Sequence, residues 1–379
     1  MGTAALDIGG TAIKSGIWTG IKDEIKEVRE TPTNARLGGA HVVEQAVKIL
    51  ESYHGFDAIG ISTAGQVDSQ RGMIRYANEN IPGYTGMEIG RMLRERFHVP
   101  VAVENDVNAA ALGEGIFGAG RGERDFLCLT YGTGVGGAIV MDQKVYHGCA
   151  FSAGEFGGLL IHPEDRKEGE FFSGCYEKYA SATALAARAM VIDPALTDGR
   201  KIFAAIDQPG VQAAVDEWID EIVNGLQTLI HIFNPSCVIL GGGVMAQPYV
   251  TEQVRVRTME RIMPSFRDVN ILPAELGNRA GLLGAAWLGR EEKRKKRKVT
   301  INEKSDKSLK KYGQGKRNWI KWKKLYRLRG MDRMQGDFIT SIKSAYNQFT
   351  KAEKKVADYI LANPRGRSVY VHYRSGGGL

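Results

Sequence analysis

Phe126-Leu127-Cys128-Leu129-Thr130-Tyr131-Gly132-Thr133-Gly134-Val135-Gly136-Gly137 reads as an apolar strand, a glycine turn carrying a threonine, and the start of a second apolar strand. Residues 2–19 have the same order and turn at Asp7-Ile8-Gly9-Gly10-Thr11. A third glycine cluster, Gly241-Gly242-Gly243, caps the strand-like run from Cys237 to Leu240. Glycine at a strand end lets the backbone approach an anion closely and aim several N–H groups at it. A single such turn is ordinarily a tight hairpin. Three at strand ends read as phosphate cradles, with Thr11 and Thr133 adding hydroxyl donors and Lys14 a cation. Asp7, just before the first turn, is placed to hold a hydrated Mg²⁺. No Gly-Lys-Ser/Thr opens a helix after any of them, which excludes a Walker loop.

Working outward, apolar spacing predicts helices over 40–53, 87–97, 107–117, 182–190, 211–233 and 281–288. Apolar runs at 58–62 and 99–103 read as buried strands between them. Strands alternating with helices, in two similar halves, predict a two-domain α/β protein. The run at 99–103 ends in Glu104-Asn105-Asp106. A carboxylate there can take a proton from a substrate hydroxyl while Asn105 fixes a sugar. Phosphoryl transfer rests on positioning and electrostatics, so one base suffices. The plainer reading makes Asp106 the N-cap of the helix from Val107, and the two are compatible.

In order along the chain, these motifs resemble the ROK sugar kinases, over about residues 3–289. The resemblance rests on Asp7 to Thr11 with Lys14, Ala64-Gly65-Gln66-Val67-Asp68, and Glu104-Asn105-Asp106-Val107-Asn108-Ala109-Ala110. It continues through Thr130 to Gly137, Ala153-Gly154-Glu155-Phe156-Gly157, and Leu240 to Val244. It implies an actin/hexokinase-like (ribonuclease H-like) duplicated fold, with domains 1–118 and 119–290 around a cleft. It also implies ATP- and Mg²⁺-dependent phosphorylation of a hexose, normally on the C6 hydroxyl, with a homodimer as the expected assembly. Asp106 matches the catalytic base. Gly65, Asn80, Asn105, Glu155 and Glu177 match the sugar site, and Gly9, Gly10, Gly132, Thr133 and Gly134 the phosphate turns. Gly242 and Gly243 match the region near base and ribose. A rival within the family, the ROK-type transcriptional repressor, carries an N-terminal winged helix, whereas this chain opens on the phosphate strand.

Departures bear on substrate. Many family members hold a structural Zn²⁺ with a His after the Gly-Glu-x-Gly motif and three cysteines. Here Gly158 takes the His position, Cys175 alone remains of the cysteines, and His162 comes four residues late, so no zinc site is expected. Losing that His also removes a usual glucose contact. Tyr76 to Gly86 resembles zinc-free N-acetylmannosamine kinases, and Asn278 to Ala285 resembles β-glucoside kinases. The room that Gly158 leaves suits an N-acetyl group. N-acetylmannosamine is the expected sugar, with glucose and β-glucosides as alternatives.

The 379 residues carry 51 Lys+Arg against 43 Asp+Glu, a net charge of +8, but the charge is divided. Residues 1–290 sum to −9 and 291–379 to +17. Four scattered cysteines exclude a disulfide scaffold, no apolar run reaches the about 18 residues of a membrane span, and no signal peptide is evident. A cytoplasmic protein is expected. Residues 291–330, with the basic run Lys293 to Lys298, read as an unstructured segment, binding nucleic acid only non-specifically. Met331 to Pro364 resembles the start of RpiR-type regulators, so 331–379 reads as a truncated helix-turn-helix-like fragment. The whole tail reads as a frameshift read-through.

Overall fold

The computed structural model describes residues 1–311 together with 346–348, 354, 358 and 361. The chain separates into a unit of residues 1–298, which holds both sheets, and one of residues 299–379.

The strand–turn–strand corners become the central strands of two sheets. In the first, β1 (Gly2–Ile8) pairs antiparallel with β2 (Ala12–Trp18), and β2 with β3 (Ile25–Pro32). On its other side β1 runs parallel to β4 (Phe56–Thr63), and β4 to β7 (Val101–Asn105). A small ribbon, β5 (Gln66–Asp68) with β6 (Met73–Tyr76), stands apart. In the second sheet β8 (Phe126–Tyr131) takes the part of β1 and β9 (Val135–Met141) that of β2. The strands β10 (Lys144–Val145), β11 (Cys237–Gly241) and β12 (Asn270–Pro273) take those of β3, β4 and β7. The orders β3-β2-β1-β4-β7 and β10-β9-β8-β11-β12 therefore match strand for strand, direction included.

Helices α1 (Gly39–Glu51), α2 (Ile89–Phe97) and α3 (Asp106–Phe117) belong to the first half. Helices α4 (Tyr176–Ala180), α5 (Ala182–Ile192), α6 (Gly199–Ala204), α7 (Val211–Phe233) and α8 (Pro248–Arg261) follow. Leu6, Ile8, Ile59, Ile61, Val42 and Leu50 share one core beneath the first sheet. Leu127, Leu129, Trp218, Ile222, Leu226 and Leu240 share another beneath the second. The α7 residue Trp218 donates its indole N–H to the carbonyls of Ala180 and Ser181, fixing the entry to α5.

The last helix, α9 (Ala280–Lys311), corrects two expectations. First, its start was grouped with the 119–290 domain, yet Leu282, Ala285 and Ala286 pack with Ala5 and Trp18 of the first sheet. Small residues make this possible: a methyl on Gly60 would collide with the Ala285 carbonyl, and one on Gly284 with that of Ala109. Second, residues 291–311 are helical rather than unstructured. Nothing from Arg290 to Lys311 is glycine or proline, and Glu, Lys and Arg are good helix formers. Lys293 of the basic run reaches Asp57 at 2.6 Å, and Arg294 pairs with Glu291. The rest of the 291–330 segment and nearly all of the 331–379 fragment lie outside the described residues.

Candidate functional site

Strand ends deliver the chemistry. Asp7 is the penultimate residue of β1, between Lys14 on β2 and Ser62 on β4. The Ser62 hydroxyl donates to its Oδ1 at 2.6 Å. Burial pushes the Asp7 carboxyl above the usual carboxylate range, against the downward pull of Ser62 and Lys14. A Cβ on Gly281, in the first turn of α9, would lie 3.0 Å from both Asp7 oxygens, so glycine lets the start of that helix approach the carboxylate closely. Lys14 directs its Nζ to the Asn278 carbonyl at 3.4 Å. Beyond Asp7 the turn at Gly9, Gly10 and Thr11 is closed by a Gly9 N–H to Ala12 carbonyl bond, with Gly10 and Thr11 exposed at its tip.

Strand β7 ends on Asn105, and here the cap differs from expectation. Asn105, not Asp106, is the N-cap of α3: its Oδ1 accepts from the N–H groups of Val107 at 3.0 Å and Asn108 at 3.1 Å. Its amide donates to the Gly65 carbonyl at 3.0 Å and to Asp106 Oδ1 at 2.9 Å. A residue that already terminates the strand, starts the helix and holds the neighbouring carboxylate orients Asp106. Asp106 itself is partly accessible at the head of α3. Burial pushes its carboxyl up to about 6; the charge of Asp7 adds to the rise, and the Val107 N–H and Asn105 amide oppose it.

Gly65 has φ +95°, and a side chain there would press on the Tyr76 carbonyl, so the loop from β4 folds against the start of the 76–86 loop. Its neighbour Gln66 bridges the halves, donating from Nε2 to Glu155 Oε1 at 3.2 Å and accepting from the Ser152 hydroxyl at 2.8 Å. Glu155 is otherwise exposed. Asn80 is exposed in the 78–81 turn, where its backbone N–H donates to Asn78 Oδ1, away from the contacts that join Gly65, Gln66, Asn105 and Asp106.

In the second half the turn at Gly132, Thr133 and Gly134 rests on α5. Ala182 N–H donates to the Gly132 carbonyl and the Thr183 hydroxyl to that of Thr133, both at 2.9 Å. Glu177, at the start of α4, accepts the Val135 N–H at 3.1 Å and lies so close to Gly134 that a methyl there would strike its carboxylate. Glu177 is thus seated against the Gly132 to Gly134 turn. Gly242, at φ +104°, passes directly over the Tyr131 carbonyl, where a Cβ would collide, while Gly243 faces open space. The tips Gly132, Thr133, Gly242 and Gly243 are exposed together at the ends of β8 and β11.

Several members of this group have roles or partners that the local sequence does not signal. Glu104, buried, accepts from the Asn105 N–H and from the Asn108 amide, and faces His147 at 2.7 Å. Glu114, buried at the far end of α3, takes the N–H groups of Ala119, Glu275 and Leu276. Ser62 flanks a motif that was legible and Gln66 lies within one without a role assigned to it, and the polar end of an otherwise apolar strand was the available hint for Ser62. His162 is engaged by Glu164 at 2.9 Å and Glu221 at 2.8 Å and stacks on Tyr179. Among the described residues, no group of three or more His, Cys, Asp or Glu is arranged to hold a metal ion. None of the described helices is long and apolar enough to cross a membrane.

Residues 3–292 match the profile of the ROK family. A β-glucoside kinase of Listeria innocua is 34% identical over 304 residues, spanning 76% of this chain and 97% of its own. A glucokinase of Streptomyces griseus, solved with glucose and AMPPNP, is 32% identical, with a TM-score of 0.66 over 77% of this chain and 100% of that one. A Listeria monocytogenes protein that carries the provisional name of N-acetylmannosamine kinase is 29% identical, with a TM-score of 0.69 over 77% and 99%.

Proposed function

The chain belongs to the ROK family and is an ATP-dependent sugar kinase; from that premise we propose that it transfers the terminal phosphoryl group of ATP to the C6 hydroxyl of a hexose, with Asp106 as the base. The observation that carries this is the Asp106 carboxyl itself. It is raised to about 6, so it is ionised at neutral pH yet basic enough to draw a proton from a hydroxyl. The Asn105 amide holds it in place.

The sugar is read as lying between Gly65, Glu155 and Asp106, with Glu155 accepting hydroxyls on the far side of the ring. The phosphates are read as resting on the turns at Gly9 to Thr11 and Gly132 to Gly134. Magnesium, when bound, would offset charge on the phosphate oxygens. Asp7 supplies the kind of oxygen donor a hydrated cation takes, at the strand end beside the exposed turn at Gly10 and Thr11. Asp7 would hold it, and Lys14 would add positive charge on the same rung.

N-acetylmannosamine is the favoured substrate. Gly158 is exposed and takes the place of the bulky His that many family members carry, which supports room for an acyl group on the sugar. Glucose and β-glucosides form the second reading, supported by the Streptomyces and Listeria innocua relatives. Kinetics on N-acetylmannosamine, glucose, N-acetylglucosamine and cellobiose decide between them. A kcat/KM for N-acetylmannosamine at least tenfold above the others is expected, and a higher value for glucose overturns the assignment.

A further inference from the structure

Glu104 is 2% exposed, and its carboxylate is ringed by donors. Oε1 takes the Asn105 N–H at 2.9 Å and the Asn108 amide at 3.1 Å. Oε2 faces His147 Nε2 at 2.7 Å, and that nitrogen also lies 3.2 Å from the Ser69 hydroxyl. A buried carboxylate is tolerated when its charge is matched and its lone pairs are used, and removing one partner of such a pair is costly. His147 comes from the other half of the molecule. It follows β10 and opens the segment that carries Ser152 and Glu155, both of which touch Gln66. One end of that segment thus holds the strand that ends at Asn105, and the other presents Glu155.

Resting on the kinase reading above, we propose that His147 is a positioning residue: paired with Glu104, it fixes the β7–α3 corner so that Asp106 and Glu155 meet the same sugar in register. His147 touches no reacting atom; it acts through Glu104 and the Asn105 backbone. The bond to Glu104 raises the His147 ring above the usual imidazole range, burial opposes the rise, and the charges of Glu104 and Asp68 add to it. A histidine raised by its partner keeps the charged pair below its folded value and loses it as pH climbs through that value. The wild-type rate should therefore carry an alkaline limb that belongs to His147.

Wild type, His147→Ala and His147→Gln are compared on the preferred hexose from pH 6 to 9, with thermal melts as a folding check. His147→Ala should lower kcat about tenfold or more while KM for ATP stays within about twofold. His147→Gln, which keeps a donor but cannot titrate, should recover most of kcat and lose the alkaline limb. If His147→Ala does not fold, the limb in His147→Gln decides alone. A folded His147→Ala with wild-type kcat, or a His147→Gln profile with the limb intact, overturns the positioning role and leaves the kinase reading standing. A folded wild type that phosphorylates no hexose overturns both.

Discussion

Replacing Asp106 by Asn should abolish turnover and make the protein more stable, and the two effects share one cause. The Asp106 carboxyl moves from 3.8 to about 6 on folding, roughly two pH units, which corresponds to about 3 kcal/mol of penalty for keeping the anion in the folded state. An asparagine keeps an oxygen for the Val107 N–H and carries no charge, so part of that penalty is relieved. After the partial access of water to this side chain is allowed for, about 1–2 kcal/mol should remain, a rise of a few degrees in Tm. The sign follows from linkage. Above about 6 both states of the wild type are ionised there and the full penalty is present; below 3.8 both are protonated and it is gone. The Tm difference between Asp106→Asn and wild type should be largest near pH 8 and shrink steadily toward pH 4. Over the same range the wild-type kcat should fall on the acid side near 6, as the base is protonated. The variant should lose at least about a hundredfold in kcat. Calorimetry and a coupled ADP assay on one preparation test this. A variant that melts at or below wild type at pH 8, or that keeps more than a tenth of kcat, refutes the reasoning.

Two further expectations concern the frame. Gly242→Ala places a methyl against the Tyr131 carbonyl at a positive φ, so ATP affinity should fall at least about fivefold in a protein that still folds, as read by isothermal calorimetry. Truncation after Lys298 should leave kinetics unchanged, whereas truncation after Arg290 deletes the basic run from Lys293 to Lys298 and should remove salt-sensitive binding to polyanions; it also deletes the Lys293 bond to Asp57 and should lower Tm by a few degrees in thermal melts.

What was legible in the sequence and what was not divides along physical lines. The strand–turn–strand corners were legible because apolar runs ending in glycine are local signals, and they carry Asp7 and the glycine turns with them. Strand β3 was not, because all but two of its residues are exposed and no alternation marks it. Helix α8 hides for a similar reason: only Val250, Val254 and Thr258 are buried, a stripe one residue wide in a polar segment. Helix α9 was stopped near Leu288 because its amphipathic pattern ends there, although helix-forming residues carry the backbone on to Lys311. At the site, Asp106 was legible as a strand-end carboxylate, yet the cap was assigned one residue late, because Asn and Asp are near-equal caps and the strand end alone chooses between them. The partnership of Glu104 with His147 spans 43 positions and leaves no local trace.

The matching strand orders of the two sheets make the two corners superposable in kind, and a molecule built from like halves has no inherent direction. One rung shows how that direction is introduced. In the first half that rung reads Ser62, Asp7, Lys14; in the second it reads Gly241, Thr130, Gly136. One copy carries a carboxylate and an ammonium group, and the other carries no charge at all. At that rung the duplicated frame is no longer symmetric in charge, so the two corners would present different electrostatics to a triphosphate lying between them.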